Sequence, residues 1–416
     1  MSGPRLLGLD VDRLRAGGGL VTAEEIAQQP ALWRQLPGVL QAHGLQLRAR
    51  LGPWLSRPDL RIVLTGAGTS AFIGEILAPA LTRATGRRVD AVATTDLVSS
   101  PDSYLAEDRP TLLVSFARSG DSPESAAATQ LADEYLSECH HLVLTCNPAG
   151  LLARRHDGSD RSVVLVMPAA ANDLGFAMTS SFTCMLLSAL LALAPELLPV
   201  GALELLVGQA ELALAAGGEF ASRLTGRGFE RVVYLGSGSL AGLARESALK
   251  MLELTAGRVA TWHDSPLGFR HGPKSVINDG TLVVVYVSAD PYTRQYDRDI
   301  VAELRGSMNP SSVVALTGPV LVDSVLVDSV SGGAVSGDTV PTGSASVGRV
   351  PAGPGEVDRQ PLDELDDAAR SVVLVVLAQI IALHHALALG LTPDNPFPSG
   401  AVNRVVEGVT IHPHPA

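Results

Sequence analysis

The chain carries the same local text twice. Ile62–Gly68, IVLTGAG, returns as Val232–Gly238, VVYLGSG, and Thr111–Val114, TLLV, returns as Thr281–Val284, TLVV, each displaced by 170 residues. Val143–Thr145, VLT, has a counterpart in Ala315–Thr317, ALT, displaced by 172. Three matches at nearly one offset identify two structurally similar halves. Short apolar strands alternate with amphipathic stretches: RIVLTGAG from Arg61, a helix from Ala71, DAVAT, TLLVSFARSG, a helix from Pro123, HLVLTCN, SVVLVMP and a long helix from Ser180. That alternation predicts an α/β fold of two tandem, doubly wound parallel-sheet domains related by internal duplication. In such sheets ligands lie at the carboxyl ends of the strands.

Residues 1–58 read as an N-terminal helical arm. Thr22 and Glu25 have capping-box spacing and open a helix through Ile26 that Pro30 ends; a second helix runs from Leu36 to about Leu51. The first domain takes residues 59–200 and the second 201–319 and 361–392, joined by a helical stretch from Ala202 to about Leu224. The insertion at 320–360 opens with LVDSVLVDSV and continues rich in Gly, Ser and Pro, too little apolar surface to offset its conformational entropy. A Pro- and Asn-rich tail, 393–416, is expected near the site through VNRVVEGV.

A net charge of −12 with 4% aromatic residues argues against nucleic acid, which wants basic patches and stacking platforms. An anionic ligand therefore needs local recognition rather than global steering. Cys139, Cys146 and Cys184 have neither metal-ligand spacing nor an even count, which fits a reducing cytoplasm. The N-terminus meets charges before an apolar core can build, so no targeting segment is expected. Ser371–Leu391 approaches membrane-span length, but Gln379, His384 and His385 interrupt it, and a buried helix is expected rather than a membrane partner.

The chemistry concentrates between Glu246 and Ser275. Glu246, Lys250 and Glu253, at i, i+4 and i+7, share one helical face. Two carboxylates flanking an amine push each other's pKa values apart and make a proton-transfer set. The plain alternative is a solvated i,i+4 pair worth a few tenths of a kcal/mol. Lysine usage tells against it: of 31 Lys plus Arg, lysine occurs only at Lys250 and Lys274. An ammonium is compact and can lose its proton when desolvated, which guanidinium cannot do. His271, in FRHGPKS, adds the side chain best suited to moving protons near neutral pH.

Three oxygen-rich clusters stand at expected strand ends or helix starts. Gly68, Thr69 and Ser70 close GAGTS; Arg118, Ser119, Gly120 and Ser122 belong to SFARSGDSPES; Thr179, Ser180 and Ser181 belong to MTSSFT. Hydroxyls, unpaired helix N–H groups and glycines that admit close backbone approach together suit a phosphate monoester. Gly238 and Ser239 repeat the first cluster in the second half.

On these stretches the chain resembles the sugar isomerase (SIS) domain superfamily, and within it the AgaS family of galactosamine-6-phosphate deaminases and tagatose-6-phosphate ketose/aldose isomerases. FARSGDSPES, LTCNP, MTSSFT, ESALKMLELTAG, DSPLGFRHGPKS, DPYTRQYD and NPFPSG...VNRVV carry the similarity, from about residue 20 to 412 outside the insertion. The resemblance implies that Glu253 is the base moving the proton between C1 and C2 of a phosphosugar, and that His271 opens the ring, reaching a neighbouring subunit's site. It also implies that Ser70, Ser119 and Ser122 contact phosphate; in the mechanism expected on these residues Lys250 or Lys274 stabilises developing charge, and Glu246 belongs to the proton-transfer set of the helix face. A homodimer or higher homo-oligomer with shared sites is expected, with no metal or organic cofactor. Ala117 departs from the pattern where the glucosamine-6-phosphate synthase has serine, leaving Arg118 beside it to recognise phosphate differently. The synthase's C-terminal lysine has no counterpart, and Arg404 lies in the comparable tail. The same residues serve deamination and plain aldose–ketose isomerisation. A phosphosugar-binding regulator would need a DNA-binding module, for which no helix-turn-helix arm or basic patch exists.

Overall fold

The computed structural model describes residues 3–318, 362–406 and 408–413. The insertion expected at 320–360 lies outside them. After a short antiparallel strand pair (Arg5–Leu6 with Leu9–Asp10), the arm helices that precede the first parallel sheet include α1 (Leu20–Ala27), α2 (Gln29–Trp33) and α3 (Leu36–Ala42). That half runs β1 (Arg61–Thr65), α4 (Thr69–Thr85), β2 (Arg88–Ala91), β3 (Thr111–Ala117), α5 (Pro123–Tyr135), β4 (Cys139–Thr145), α6 (Leu151–His156), β5 (Ser162–Val166) and α7 (Ser180–Leu193). Helix α8 (Ala202–Thr225) leads to β6 (Arg231–Leu235), α9 (Ser239–Leu254), β7 (Ala260–Asp264), β8 (Thr281–Tyr286), α10 (Thr293–Ser307), β9 (Val313–Leu316) and α11 (Asp367–Ala388).

Both sheets are parallel throughout, with strand orders β2-β1-β3-β4-β5 and β7-β6-β8-β9. The second repeats the first without a fifth strand among the described residues. The duplication holds at the level of register: Arg61 pairs with Thr111, and Arg231 with Thr281. Strand order reverses direction between β1 and β3, the place where such sheets open a ligand crevice. Strands such as RIVLT and TLVVVY are buried on both faces because helices cover both sides, so their apolar runs are continuous rather than alternating.

Helices from the two halves pack directly on one another. The α4–α9 pair runs antiparallel, with Thr69 opposite Glu246, Phe72 under the Arg245 guanidinium, and Ile76 opposite Gly242. A Cβ at Gly242 would lie 2.8 Å from the Ile76 nitrogen, so the helices cross at van der Waals distance there. Antiparallel crossing brings the middle of α9 to the N-terminus of α4. Helix α11 packs against α8 and α9 and is buried along nearly its whole length. It is long and apolar enough to cross a membrane, yet here it forms the core. Each wholly buried Val, Leu or Ile of this kind contributes about 1.5–3 kcal/mol.

The arm differs from its sequence reading. Helix α1 starts at Leu20 behind Gly19, and Thr22 lies inside it, donating through N–H and hydroxyl to Asp394 Oδ1 at 2.7 Å each. Glu25 turns away to the loop at 174–175 instead of closing a capping box. A distant carboxylate and distant N–H groups outcompete the local cap. Pro30 is accommodated in the first turn of α2, and the second arm helix stops at Ala42, before a single π-helical stretch at Leu47–Leu51.

Candidate active site

The site is assembled on the face of α9 that meets the first half. Glu246 and Lys250 are fully buried, and Glu253 is partly exposed at the next turn. The Lys250 ammonium lies 3.6 Å from Glu246 Oε1 and is ion-paired with Glu253 Oε2. Burial alone would lower the Lys250 pKa; the charges of Glu246 and Glu253 outweigh it and the net shift is upward. Burial pushes Glu246 up to about 8, the Lys250 ammonium opposes that shift, and the Glu253 carboxylate adds to it. The set therefore contains a fixed cation, a carboxyl that holds its proton near neutral pH, and a second carboxylate open to a ligand.

The first half supplies the opposite wall. Thr69, 4% exposed, faces Glu246 from the first turn of α4. Ser70 is also buried, its hydroxyl 3.8 Å from the Met178 sulfur. Close packing of strand and helix explains this turn: a Cβ at Gly66 would lie 2.6 Å from Ser70, and at its counterpart Gly236 2.2 Å from the Leu240 oxygen. Gly68 and Gly238 precede their helices with nearly the same backbone, φ 55° and 56°.

The loop after β3 lies beside this turn. Ser119 accepts the Asp121 N–H at 3.3 Å, Gly120 takes a φ of 67°, and Ser122 caps α5 with its hydroxyl 2.6 Å from that of Ser125. Arg118 is 8% exposed; its guanidinium donates to the Phe176 carbonyl at 3.2 Å and the Arg404 carbonyl at 2.7 Å. Burial lowers its pKa first, Arg404 adds to that, and the charges of Asp173 and Glu253 oppose it. Arg118 thus joins the first-half loop electrostatically to the acid on α9. Arg404 reaches the same place from the tail, donating to the Asp173 carbonyl.

Several expected residues lie elsewhere. Thr179, Ser180 and Ser181 are fully buried, and the Asp173 carboxylate already occupies their helix N-terminus, accepting the N–H groups of all three and the hydroxyls of Thr179 and Ser181. An internal anion fills the position that the sequence suggested for a phosphate. Lys274 pairs with Glu303 on α10, away from Glu253, because that acid offers a partly exposed partner across a short span. His271 is exposed in a turn after β7, and among the described residues no hydrogen bond or ion pair ties it to Glu253.

Gly238 and Ser239 line a different cavity of about 650 Å³, together with Arg83, Ser288, Asp290, Asp363, Asp366 and Asp367. The carboxylates oppose an anion there. Displaced by 170, the counterparts of Glu246, Lys250 and Glu253 are Ile76, Ala80 and Arg83. The duplicate pocket thus keeps the glycine turn and lacks the proton-transfer set.

Asp173 and Asp394, unmarked by any spacing in the sequence, border the site from a loop and the tail, and Glu25, marked there only as part of a capping box, borders it from the arm. Asp133, Cys139 and His141 hold potential metal-ligating atoms within 4.8 Å of one another. Cys139 and His141 lie at the start of β4 and Asp133 near the end of α5, away from the ligand edge; His141 bonds Asp133 at 2.9 Å and burial raises the Cys139 thiol to about 12.

The SIS domain family matches residues 55–195. A Streptomyces coelicolor protein bearing the AgaS name is 56% identical over 94% of this chain and 95% of its own. The chain belongs to the AgaS family. An Escherichia coli member, the D-galactosamine-6-phosphate deaminase AgaS, is 46% identical over 96% of this chain and 97% of its own. Among AgaS-like solved structures, the tagatose-6-phosphate ketose/aldose isomerase of Escherichia coli is 42% identical, with a TM-score of 0.79 over 96% of this chain and 98% of its own. The AgaS relatives extend across both sheets, so the family similarity covers the second half as well as the matched SIS segment.

Proposed function

We propose that this AgaS-family enzyme deaminates and isomerises an amino-sugar 6-phosphate, converting galactosamine 6-phosphate and water to tagatose 6-phosphate and ammonium. The observation that carries the reading is the partly exposed Glu253 carboxylate, held by a buried ammonium on its own helix and faced by Arg118 from the phosphate-type loop. The names of the AgaS relatives support the substrate. Residues 59–200 serve as the phosphosugar-binding half. The 6-phosphate lies against Gly68–Ser70 and Ser119–Ser122, where unpaired N–H groups at the starts of α4 and α5 meet hydroxyls. His271, exposed on each subunit, opens the pyranose ring in the site of a second copy of the chain.

In the open aldehyde, Glu253 removes the C2 proton and the electron pair forms the C1–C2 double bond of a cis-enolamine. A proton delivered to C1 gives the ketimine, and water then adds at C2 and expels ammonium, leaving the ketose. Lys250 stabilises the negative charge that develops on the sugar oxygen during enolisation. Protonated Glu246 keeps that ammonium from being neutralised by two carboxylates at once. No step calls on a metal or organic cofactor, and the reaction is placed in the cytoplasm.

Plain isomerisation of a hexose 6-phosphate uses the same proton transfer, and the name of the solved Escherichia coli relative favours it as the second reading. Ammonium release from galactosamine 6-phosphate, measured beside ketose formation from galactose 6-phosphate, separates the two. Deamination requires ammonium from the first substrate in step with ketose. Ketose from the second without ammonium from the first overturns it.

A further inference from the structure

The segment 174–176 is fixed from both ends of the chain. Glu25 Oε1, on α1, accepts the N–H groups of Leu174 and Gly175, the latter at 3.1 Å. Phe176 N–H donates to the Asp394 carbonyl at 3.2 Å, and the Phe176 ring packs on Phe397 at 5.2 Å between centroids. Asp394 is itself clasped to α1, accepting from the N–H and hydroxyl of Thr22. The Phe176 carbonyl, at the end of this segment, accepts from Arg118. A chain of direct bonds therefore runs from the arm carboxylate to the guanidinium beside Glu253, with a single peptide segment between.

We propose that Glu25 is a positioning residue for substrate phosphate, acting through the Leu174–Phe176 segment to hold Arg118 at the Ser119–Ser122 loop. This rests on the proposed function, in which that loop receives the phosphate.

The local chemistry fits a clamp rather than incidental packing. Glu25 is 7% exposed beside Asp173, and burial followed by that like charge raises its carboxyl to about 7, while the two N–H groups and Arg404 pull the other way. An arm serving only to pack would be more stable with an apolar residue here, since a buried carboxylate costs more than well-packed hydrocarbon. Gly175 adds an independent constraint: a Cβ there would lie 2.9 Å from Glu25 Oε2 and 3.3 Å from the Thr22 hydroxyl. The carboxylate and the backbone are fitted to one another. Among the described residues Arg118 has no anion as its hydrogen-bond partner, only two carbonyls, so its direction depends on where those carbonyls are held.

The test compares wild type with Glu25→Ala, Glu25→Gln, Glu25→Asp, Gly175→Ala and Arg118→Ala. Steady-state kinetics on galactosamine 6-phosphate are combined with calorimetric binding of 2-amino-2-deoxygalactitol 6-phosphate, which cannot react, and of its phosphate-free counterpart. Glu25→Ala and Gly175→Ala are expected to raise KM and weaken the phosphorylated ligand about tenfold, the loss of about one charge-assisted hydrogen bond, while kcat falls less than about threefold. Glu25→Gln, whose amide oxygen still accepts from the two N–H groups, is expected to restore binding to within about twofold. Phosphate-free ligand binding should not change. If Glu25→Ala does not fold, Glu25→Asp serves instead, since it keeps the charge and withdraws it by one methylene. Wild-type KM in Glu25→Ala or Glu25→Asp, with Arg118→Ala impaired, overturns the positioning role and leaves the proposed function standing. Equal weakening of both ligands, or a fall in kcat alone, also overturns it. Unimpaired phosphate binding in Arg118→Ala removes Arg118 from phosphate recognition and refutes that part of the proposed function.

Discussion

Lys250 and Glu246 are both wholly buried, with the ammonium 3.6 Å from the nearer carboxylate oxygen. Removing the ammonium alone leaves the buried Glu246 carboxyl and the Glu253 carboxylate without their partner, whereas removing both members of such a pair can leave a protein no less stable. Lys250→Met is therefore expected to lower stability by about 3–5 kcal/mol and to reduce turnover at least about a hundredfold. The double variant Glu246→Gln/Lys250→Met should recover stability without recovering activity. Urea midpoints and ammonium release check both, and a double variant no more stable than Lys250→Met would show that the pair does not act as a unit.

Glu253→Gln keeps the shape of the base and removes its ability to accept a proton. Turnover should fall by roughly 10²–10⁴, with affinity for the reduced substrate analogue unchanged. NMR in deuterated water is the direct readout, because wild type should place solvent deuterium on C1 of the product and the variant should not. Retained deuterium incorporation in Glu253→Gln would move the base to another residue.

Stability should fall as pH rises. The folded-state value of Glu246, about 8, lies above its ordinary 4.5, so between those limits the native chain holds a proton that the unfolded chain has released. Its contribution is fully present below about 4.5 and is lost as pH climbs through about 8. Glu25, raised to about 7, acts in the same direction over the lower part of that range. Urea midpoints measured between pH ~5 and ~8 should decline. Glu246→Gln should flatten the upper part of the slope and Glu25→Gln the lower.

The two halves were legible in the sequence because strand registers follow the chain: the 170-residue offset between TLLV and TLVV is also the offset between the Arg61–Thr111 and Arg231–Thr281 pairs. Glu246, Lys250 and Glu253 were legible because helical periodicity places them on one face whatever lies opposite. What lies opposite was not legible, since Asp173 meets Thr179 through a turn and Glu25 meets Gly175 across 150 positions. The serine-rich start of α7 looked like a ligand site because an N-terminus needs an anion, and composition does not say whether the chain supplies its own. Lys274 misled for a related reason: scarcity marked it, but its ion-pair partner stands on another helix.

The glycine turns of the repeat should be equally intolerant of side chains. At Gly236 an added Cβ meets the Leu240 backbone oxygen at 2.2 Å, and at Gly66 the Ser70 backbone carbon at 2.6 Å. Neither obstacle is the flexible end of a side chain. Gly66→Ala and Gly236→Ala should each cost at least about 3 kcal/mol, at the upper end of overpacking, measured by urea unfolding. A fully stable Gly236→Ala would show that the second half does not need the strand–helix contact that defines the first.

The duplicate pocket should be silent in the reaction. Ser239 is 3% exposed and its hydroxyl has no hydrogen-bond partner among the described residues, so its loss strands nothing. Around it stand Asp290, Asp363, Asp366 and Asp367, which disfavour a phosphate, and the positions matching the acid–lysine–acid face carry Ile76, Ala80 and Arg83. Ser122 instead caps α5 on the loop beside Arg118, its hydroxyl bonded to the N–H and hydroxyl of Ser125 and to no carboxylate among the described residues. Ser239→Ala should leave KM and kcat within about twofold of wild type, whereas Ser122→Ala should raise KM about fivefold to tenfold through a lost hydrogen bond to a charged group. Steady-state kinetics on galactosamine 6-phosphate decide the matter. A rise in KM for Ser239→Ala equal to that for Ser122→Ala would mean that the second half also receives the phosphate, and that the acids lining its cavity are neutralised when substrate binds.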